Sequence, residues 1–278
     1  MKLGFMIYSL GRSLADKTIT VPQAFALIKE CGAEGVDITA GHVTGYTMAQ
    51  VKQMLDDAGL VTSCNIGGAS LTMSDPTERA KSVDAIRKVI DDAVELGTTT
   101  VLVTTGGCAP DQDKADGRRN VAAGLAEVLP YAKQAGVTLS IEDFGSPVAP
   151  YQTSGECLEC CELAGEGLMI TYDSGNMVMG DEDPVEFLKA VEHKMVHAHA
   201  KDWEALPPDA EQCLTSRAGL KYTGATVGTG ILDYPAIIGR LKNIGYNGYL
   251  SFEYEGRTGD PIAAAREGTA YLLKLMNA

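Results

Sequence analysis

The chain has 278 residues, 45% of them hydrophobic and 22% charged, which is the balance of a globular protein able to bury a large core without disulfides or a structural metal. Its formal net charge of −14 argues against duplex nucleic acid and anionic membrane surfaces as partners, since both require cations. No run approaches the ~18 consecutive apolar residues of a membrane span.

The N-terminal stretch Met1–Leu10 reads as a first strand rather than a signal peptide, because no small-residue cleavage site follows a proper apolar region. The seven cysteines are an odd number in mostly apolar contexts and read as reduced thiols, which places the protein in the cytoplasm. Short β-branched runs then alternate with amphipathic stretches. Strands are predicted at Leu3–Tyr8, Gly35–Thr39, Val61–Ile66, Thr99–Thr105, Thr138–Asp143, Leu168–Asp173, Met195–Ala200 and Tyr249–Tyr254. Helices are predicted at Pro22–Cys31, Met48–Ala58, Pro76–Leu96, Val121–Ala135, Gly155–Leu163, Pro184–Val191, Tyr234–Ile244 and Pro261–Leu275. Asp75, Asp183 and Asp260 stand one residue before a proline, as N-caps do, and Gly32, Gly59, Gly97, Gly136 and Gly245 fall where helices end. Strand and helix repeated eight times, with right-handed crossovers, give a single (β/α)8 barrel over residues 1–278. The rival, an open doubly wound sheet, usually carries a glycine-rich fingerprint after strand one, and Tyr8-Ser9-Leu10-Gly11-Arg12 is not one. The one long irregular stretch, Lys201–Leu232, lies between strands seven and eight and is expected as a loop over the catalytic face.

Four consecutive strands end in residues that can hold a metal. These are Glu142 on strand five, Asp173 on strand six, His199 on strand seven and Glu253 on strand eight. Adjacent strands lie ~4.8 Å apart, so their tops can converge. Three carboxylates and an imidazole suit one divalent ion, Mn2+, Mg2+, Co2+ or Zn2+, and leave positions open for substrate oxygens. His197 and His199 are two apart on one strand and share a face; a hydrogen-bonded core pair is the other reading of them.

These segments resemble the sugar phosphate isomerase/epimerase family of xylose-isomerase-like barrels. The family includes ketose 3-epimerases and inosose dehydratases, and endonuclease IV is a more distant relative. The likeness runs through Cys31-Gly-Ala-Glu-Gly-Val-Asp37, Ile141-Glu142, Tyr172-Asp173-Ser-Gly-Asn176, His197-Ala-His199-Ala-Lys201-Asp202, Gly228-Thr-Gly-Ile-Leu-Asp233 and Gly245-Tyr-Asn-Gly-Tyr-Leu-Ser-Phe-Glu253, covering essentially the whole chain. The resemblance implies Glu142, Asp173, His199 and Glu253 as metal ligands, with Glu142 and Glu253 also the catalytic acid/base pair. Three positions depart from the pattern. Asn176 stands where epimerases often carry a substrate-binding histidine, Asp37 replaces a glutamate on strand two, and no arginine follows the strand-seven histidine at the usual spacing, though Arg217 is available from the long loop. Asn176, His197, Lys201, Asp37 and His42 are the candidate substrate contacts.

Other features have plainer readings beside the functional ones. Cys157-Leu-Glu-Cys160-Cys161 reads as a packed helix face, not a metal or redox site. Gly106-Gly107 and Gly228-Thr-Gly230 are either phosphate cradles or tight turns, and Lys201-Asp202 either orients substrate or begins a loop with a salt bridge. His42 and Trp203 lie on catalytic-face loops. The expected function is metal-dependent isomerisation or epimerisation of a small-molecule carbohydrate, a sugar or keto-polyol, by proton abstraction through an enediolate. A dehydratase or lyase on the same site is the alternative. A nuclease of the endonuclease IV type would need more than four histidines, and a non-catalytic sugar-binding barrel would not need an intact ligand set. A homo-oligomer is compatible with all of these.

Overall fold

The computed structural model covers residues 1–278. Eight parallel strands close into a barrel in the order β1 (Lys2–Met6), β11 (Tyr249–Phe252), β7 (Met195–Ala200), β6 (Met169–Asp173), β5 (Thr138–Glu142), β4 (Thr100–Thr104), β3 (Val61–Gly68) and β2 (Gly35–Thr39). Closure is made by β1, which pairs with both β2 and β11. All eight expected barrel strands are present. The first is shorter than expected, because the chain turns through a 3-10 segment at Ile7–Leu10 and carries Tyr8 onto the barrel rim.

The helices begin and end where local chemistry directs. Thr20, Thr47 and Thr153 form capping boxes at the starts of α2 (Val21–Glu30), α3 (Met48–Asp57) and α6 (Ser154–Ala164). Asp75, Asp183 and Asp260 accept hydrogen bonds from the first-turn amides of α4 (Pro76–Leu96), α7 (Pro184–Val191) and α9 (Pro261–Asn277). Gly97 and Gly136 close α4 and α5 (Lys114–Ala135) in the left-handed region, at φ +79° and +72°. The fifth helix starts seven residues earlier than the apolar period indicates. Asp113 caps it through the amides of Ala115 and Asp116, and its first turn is too polar to show a period. A further short helix, α1 (Gly11–Ala15), has no counterpart in the predicted pattern, whereas α8 (Tyr234–Asn243) falls where expected. Cys157, Cys160 and Cys161 are all buried on α6, as the packed-face reading requires. No helix is long and apolar enough to cross a membrane.

One continuous apolar cluster joins strands and helices. Near the barrel top the inward column turns polar. Ser140, Thr171, His197 and Ser251 form a buried layer, with Ser140 Oγ 2.8 Å from Thr171 Oγ1. On β1 this layer meets Gly4, where a Cβ would collide with Ser251 Oγ.

The stretch 201–232 is not the irregular loop the sequence indicates. It folds into a three-stranded antiparallel sheet of β8 (Asp202–Leu206), β10 (Lys221–Ala225) and β9 (Leu214–Thr215). Trp203, 1% exposed, pins this flap by donating from Nε1 to the Gly175 carbonyl at 2.8 Å. Buried Asp202 accepts from the backbone N–H of Gly228, Gly230 and Leu232 at 3.0, 3.0 and 3.2 Å. The Gly228-Thr-Gly230 amides are therefore spent on a side chain, which makes that segment a turn rather than a phosphate cradle. Asp202→Ala leaves those buried amides without an acceptor and should cost about 2–4 kcal/mol of stability. Amide exchange at Gly228, Gly230 and Leu232 should accelerate; unchanged exchange and melting temperature would mean that Asp202 does not hold the flap base.

Candidate metal centre and active site

Strand parity builds the site. His197, His199 and Lys201 alternate along β7 and its end, so all three project to the barrel interior and form a vertical series. Asp173 pairs in register with His199, and Glu253 follows Ser251, which also registers with His199. A register shift between Ile170 and Thr171 sets the height of β6 against β7.

The four strand-end residues converge. His199 Nδ1 lies 2.5 Å from Glu142 Oε1, 3.4 Å from Glu253 Oε2 and 3.9 Å from Asp173 Oδ2. Each residue turns toward the others a buried atom that has no hydrogen-bond partner, namely Glu142 Oε1, Asp173 Oδ2, His199 Nδ1 and Glu253 Oε2, while His199 Nε2, on the Asp37 side, is a fifth. Orphaned polar atoms are rare in protein interiors, and four of them facing one point fit a cation. Three carboxylate oxygens and one imidazole nitrogen form a donor set suited to a hard or borderline divalent ion. Glu142, Asp173 and His199 alone already place one ligand atom each within 4.8 Å of one another.

Beneath the ligands, Asp37 fixes the imidazoles. Its Oδ2 accepts from His197 Nε2 at 2.9 Å and faces His199 Nε2 at 3.2 Å, while Oδ1 accepts from Ser63 Oγ at 2.6 Å. Burial disfavours the charge on Asp37, but His197 and then His199 more than offset this and hold its pKa below the usual carboxylate range. A carboxylate on one ring nitrogen leaves the other for a metal and sets the ring's orientation. Asp37 and His197, expected at the substrate, are 0% and 2% exposed, so they stand behind the ligands and not on an open wall.

Above the ligands sits Lys201, 2% exposed. Its ammonium donates to Glu253 Oε1 at 2.9 Å, Glu255 Oε1 at 2.8 Å and Asn176 Oδ1 at 3.2 Å, and lies 3.2 Å from Asp173 Oδ2. Burial opposes its charge, but Asp173, Glu253 and Glu255 keep its pKa well above the ordinary value. Burial also raises Glu253, with Lys201 opposing and Asp173 adding to the rise. Asn176 is tied down by Nδ2 donating to the Asp143 carbonyl at 2.9 Å. A cavity of about 340 Å³ opens over this group, lined among others by Glu142, Asn176, Lys201, Glu253, Phe144 and Leu214. Leu214 comes from the flap, so the flap forms part of the cavity wall.

The remaining candidates lie elsewhere. His42 lines an adjoining cavity with Tyr8 and Arg12. Arg217 donates to Gln152 and Glu156 at 2.9 and 2.6 Å and ties the flap to α6, away from the cavity. The sequence motifs do not single out Glu255, yet it lines the same cavity. Its spacing of two from Glu253 is the signal that marks it.

The family model of the xylose isomerase-like TIM barrel matches residues 25–275. The chain belongs to that family. It is 28% identical over 165 residues to an inosose dehydratase of Clostridium perfringens, covering 57% of this chain and 55% of that protein. The chain thus spans about half the length of this curated relative. Among solved structures, an L-ribulose 3-epimerase superposes with a TM-score of 0.79 at 19% identity, over 99% of this chain and 94% of the other. An IOLI protein with a bound zinc atom does so at 0.79 and 15%, over 100% and 98%. At these identities the two structures speak for the fold.

Glu142 and Asp37 hold the His199 pKa well above normal against the opposing effect of burial. A metal and a proton compete for the imidazole, so metal affinity should rise with pH and binding should release protons. Calorimetry of Mn2+ binding in buffers of different ionisation enthalpy reads this directly; zero release means that His199 is already neutral or is not a ligand. Asp37→Asn should weaken metal binding about 10–100-fold. A tight site in that variant would show that Asp37 does not orient the ligand.

Proposed function

We propose that the protein is a metal-dependent isomerase or epimerase of a sugar or keto-polyol, acting by proton abstraction next to a carbonyl. One observation carries the reading: four orphaned ligand atoms on strands β5, β6, β7 and β11 meet beneath a cavity of small-molecule size. Glu142, Asp173, His199 and Glu253 would hold one divalent ion. A bound ion supplies positive charge beside the reacting carbonyl and acidifies the neighbouring carbon-bound proton.

The chain's own groups do the rest. Glu142 and Glu253 come from the outer two of the four ligand strands, so their carboxylates flank the cavity from opposite sides. One takes the proton from one face of the carbon and the other returns a proton to the opposite face. Burial raises the basicity of Glu253 toward that task. Lys201 stands between Glu253 and Glu255 at the cavity wall and holds both carboxylates in place with its ammonium. Asn176, anchored to the Asp143 carbonyl, can contact substrate from the β6 side.

The likeness to inosose dehydratase favours a second reading on the same residues. After the same proton abstraction, the electrons form a carbon–carbon double bond and expel the β-hydroxyl, which leaves as water with a proton delivered by one of the two glutamates. Glu142→Gln and Glu253→Gln keep size but remove charge and proton acceptance, and each should lose at least about 100-fold in turnover. With Mn2+ and a panel of ketoses and keto-polyols in deuterated water, NMR should show deuterium at the carbon beside the carbonyl. Epimerised and eliminated products distinguish the two readings. Turnover to an isomerised product without solvent deuterium at that carbon would point to a direct hydride shift and overturn the first reading, and the absence of any eliminated product would overturn the second.

A further inference from the structure

Only two of the chain's arginines lack a carboxylate partner. Of the nine, Arg79, Arg87, Arg118, Arg119, Arg217, Arg240 and Arg266 are ion-paired, as expected in a protein with 37 acidic and 23 basic side chains. The exceptions are Arg12 and Arg257. They lie 245 residues apart in sequence, and both line one cavity of about 330 Å³ beside the metal centre. Chance placement of the two unpaired guanidinium groups in the same chamber of an acidic protein is a poor explanation.

The chamber is built rather than incidental. Arg12 Nη1 donates to the Arg257 carbonyl at 2.7 Å and Nη2 to the Gly259 carbonyl, so its guanidinium is fixed to the loop that carries Arg257. His42 forms another wall. Its Nδ1 meets Thr39 Oγ1 at 2.6 Å, and the Tyr8 ring packs edge-on at 5.5 Å. Its Nε2 would lie 2.7 Å from a Cβ on residue 11, so only the glycine found there leaves room for this ring. The one carboxylate in the lining, Glu255, is already committed to Lys201 at 2.8 Å. The chamber adjoins the active-site cavity, with Tyr8 and Glu255 lining both.

We infer that this chamber is a subsite for an anionic substituent of the substrate, a carboxylate or a phosphate, held by Arg12 and Arg257 with His42 as a further donor. The substrate is then an acidic sugar derivative with its reacting carbonyl at the metal centre and its charged end over β1 and β11. The assignment rests on the proposed sugar chemistry for the carbonyl end, but the anion site itself stands on the arginines. Guanidinium groups match carboxylate and phosphate geometry and act strongly where competing ion pairs are absent. In a chain of net charge −14, a local cationic pocket is also what lets an anionic substrate bind at all.

The test uses the full chain loaded with Mn2+ and titrates two sets of probes by calorimetry. The first set is inorganic phosphate and malonate, which read the anion site without any sugar. At least one should bind the wild type, and Arg257→Ala should weaken it at least about tenfold, with Arg257→Lys recovering part of the loss. Binding of neither anion, or equal binding to the alanine variant, overturns the subsite. The second set is D-fructose, D-fructose 6-phosphate and D-fructuronate, which share a keto group and differ in the terminal charge. A charged member should bind about tenfold or more tightly than D-fructose, and Arg257→Ala should bring that ratio close to one. Which charged member wins separates phosphate from carboxylate. If the small anions bind through Arg257 while no sugar binds, the sugar reading fails and the anion site survives. If D-fructose binds as well as both charged sugars, the subsite does not serve this substrate class.

Discussion

Everything around the barrel top depends on holding too many carboxylates in too little water. Glu142, Asp173 and Glu253 face one point, Asp37 lies beneath them and Glu255 above, while His199 and Lys201 supply the nearby positive charge. Burying a carboxylate costs several kcal/mol unless it is paired and hydrogen-bonded, so the surrounding structure is recruited to that end. Lys201 serves three acidic groups at once. Asp173 also accepts from the amides of Gly175 and Asn176, which together with Lys201 and His199 hold its pKa low despite burial. Even the layer below is hydroxyl-lined, and Gly4 gives Ser251 the space it needs. A divalent ion would complete this balance at Glu142, Asp173, His199 and Glu253, whose facing atoms are among the buried ones left without hydrogen bonds.

The arrangement divides labour around the barrel. Chemistry comes from the strands of its second half, β5, β6, β7 and β11, whose order and register bring the ligands together. Shape comes largely from the rim. Tyr8 after β1, Phe144 after β5 and Leu214 on the flap line the cavity without touching the ligand set's geometry. The strand ends thus set which groups meet at the barrel top, while the rim decides what reaches them.

Residues that act through their own neighbours in the chain are legible in the sequence. The aspartates ahead of Pro76, Pro184 and Pro261 cap helices because capping is local, and the strand-end ligands follow from strand period and order. What the sequence hides is what folding brings from afar. The flap strands are short and lack a one-sided apolar period; they exist because Gly224 pairs with Trp203 across the sheet and Trp203 reaches Gly175. Asp37 looks like a strand-two substrate contact until β2 is seen across the barrel from β7, where its carboxylate meets two imidazoles. Arg12 and Arg257 carry no motif, and their shared chamber appears only when β1 and β11 close the barrel.

The contact between Asp37 and the two histidines has a kinetic side. β2 and β7 are separated in the closed sheet by β1 and β11, and Asp37 and His197 lie 160 positions apart along the chain. The imidazole ligand thus reaches its final orientation only after the N-terminal and C-terminal halves have met, one of the last and most non-local events available to this topology. Three ligand carboxylates can gather within the C-terminal half alone, but the fourth ligand is aimed by the other half. An ion held by these four residues would for that reason be captured in full only once the barrel has closed.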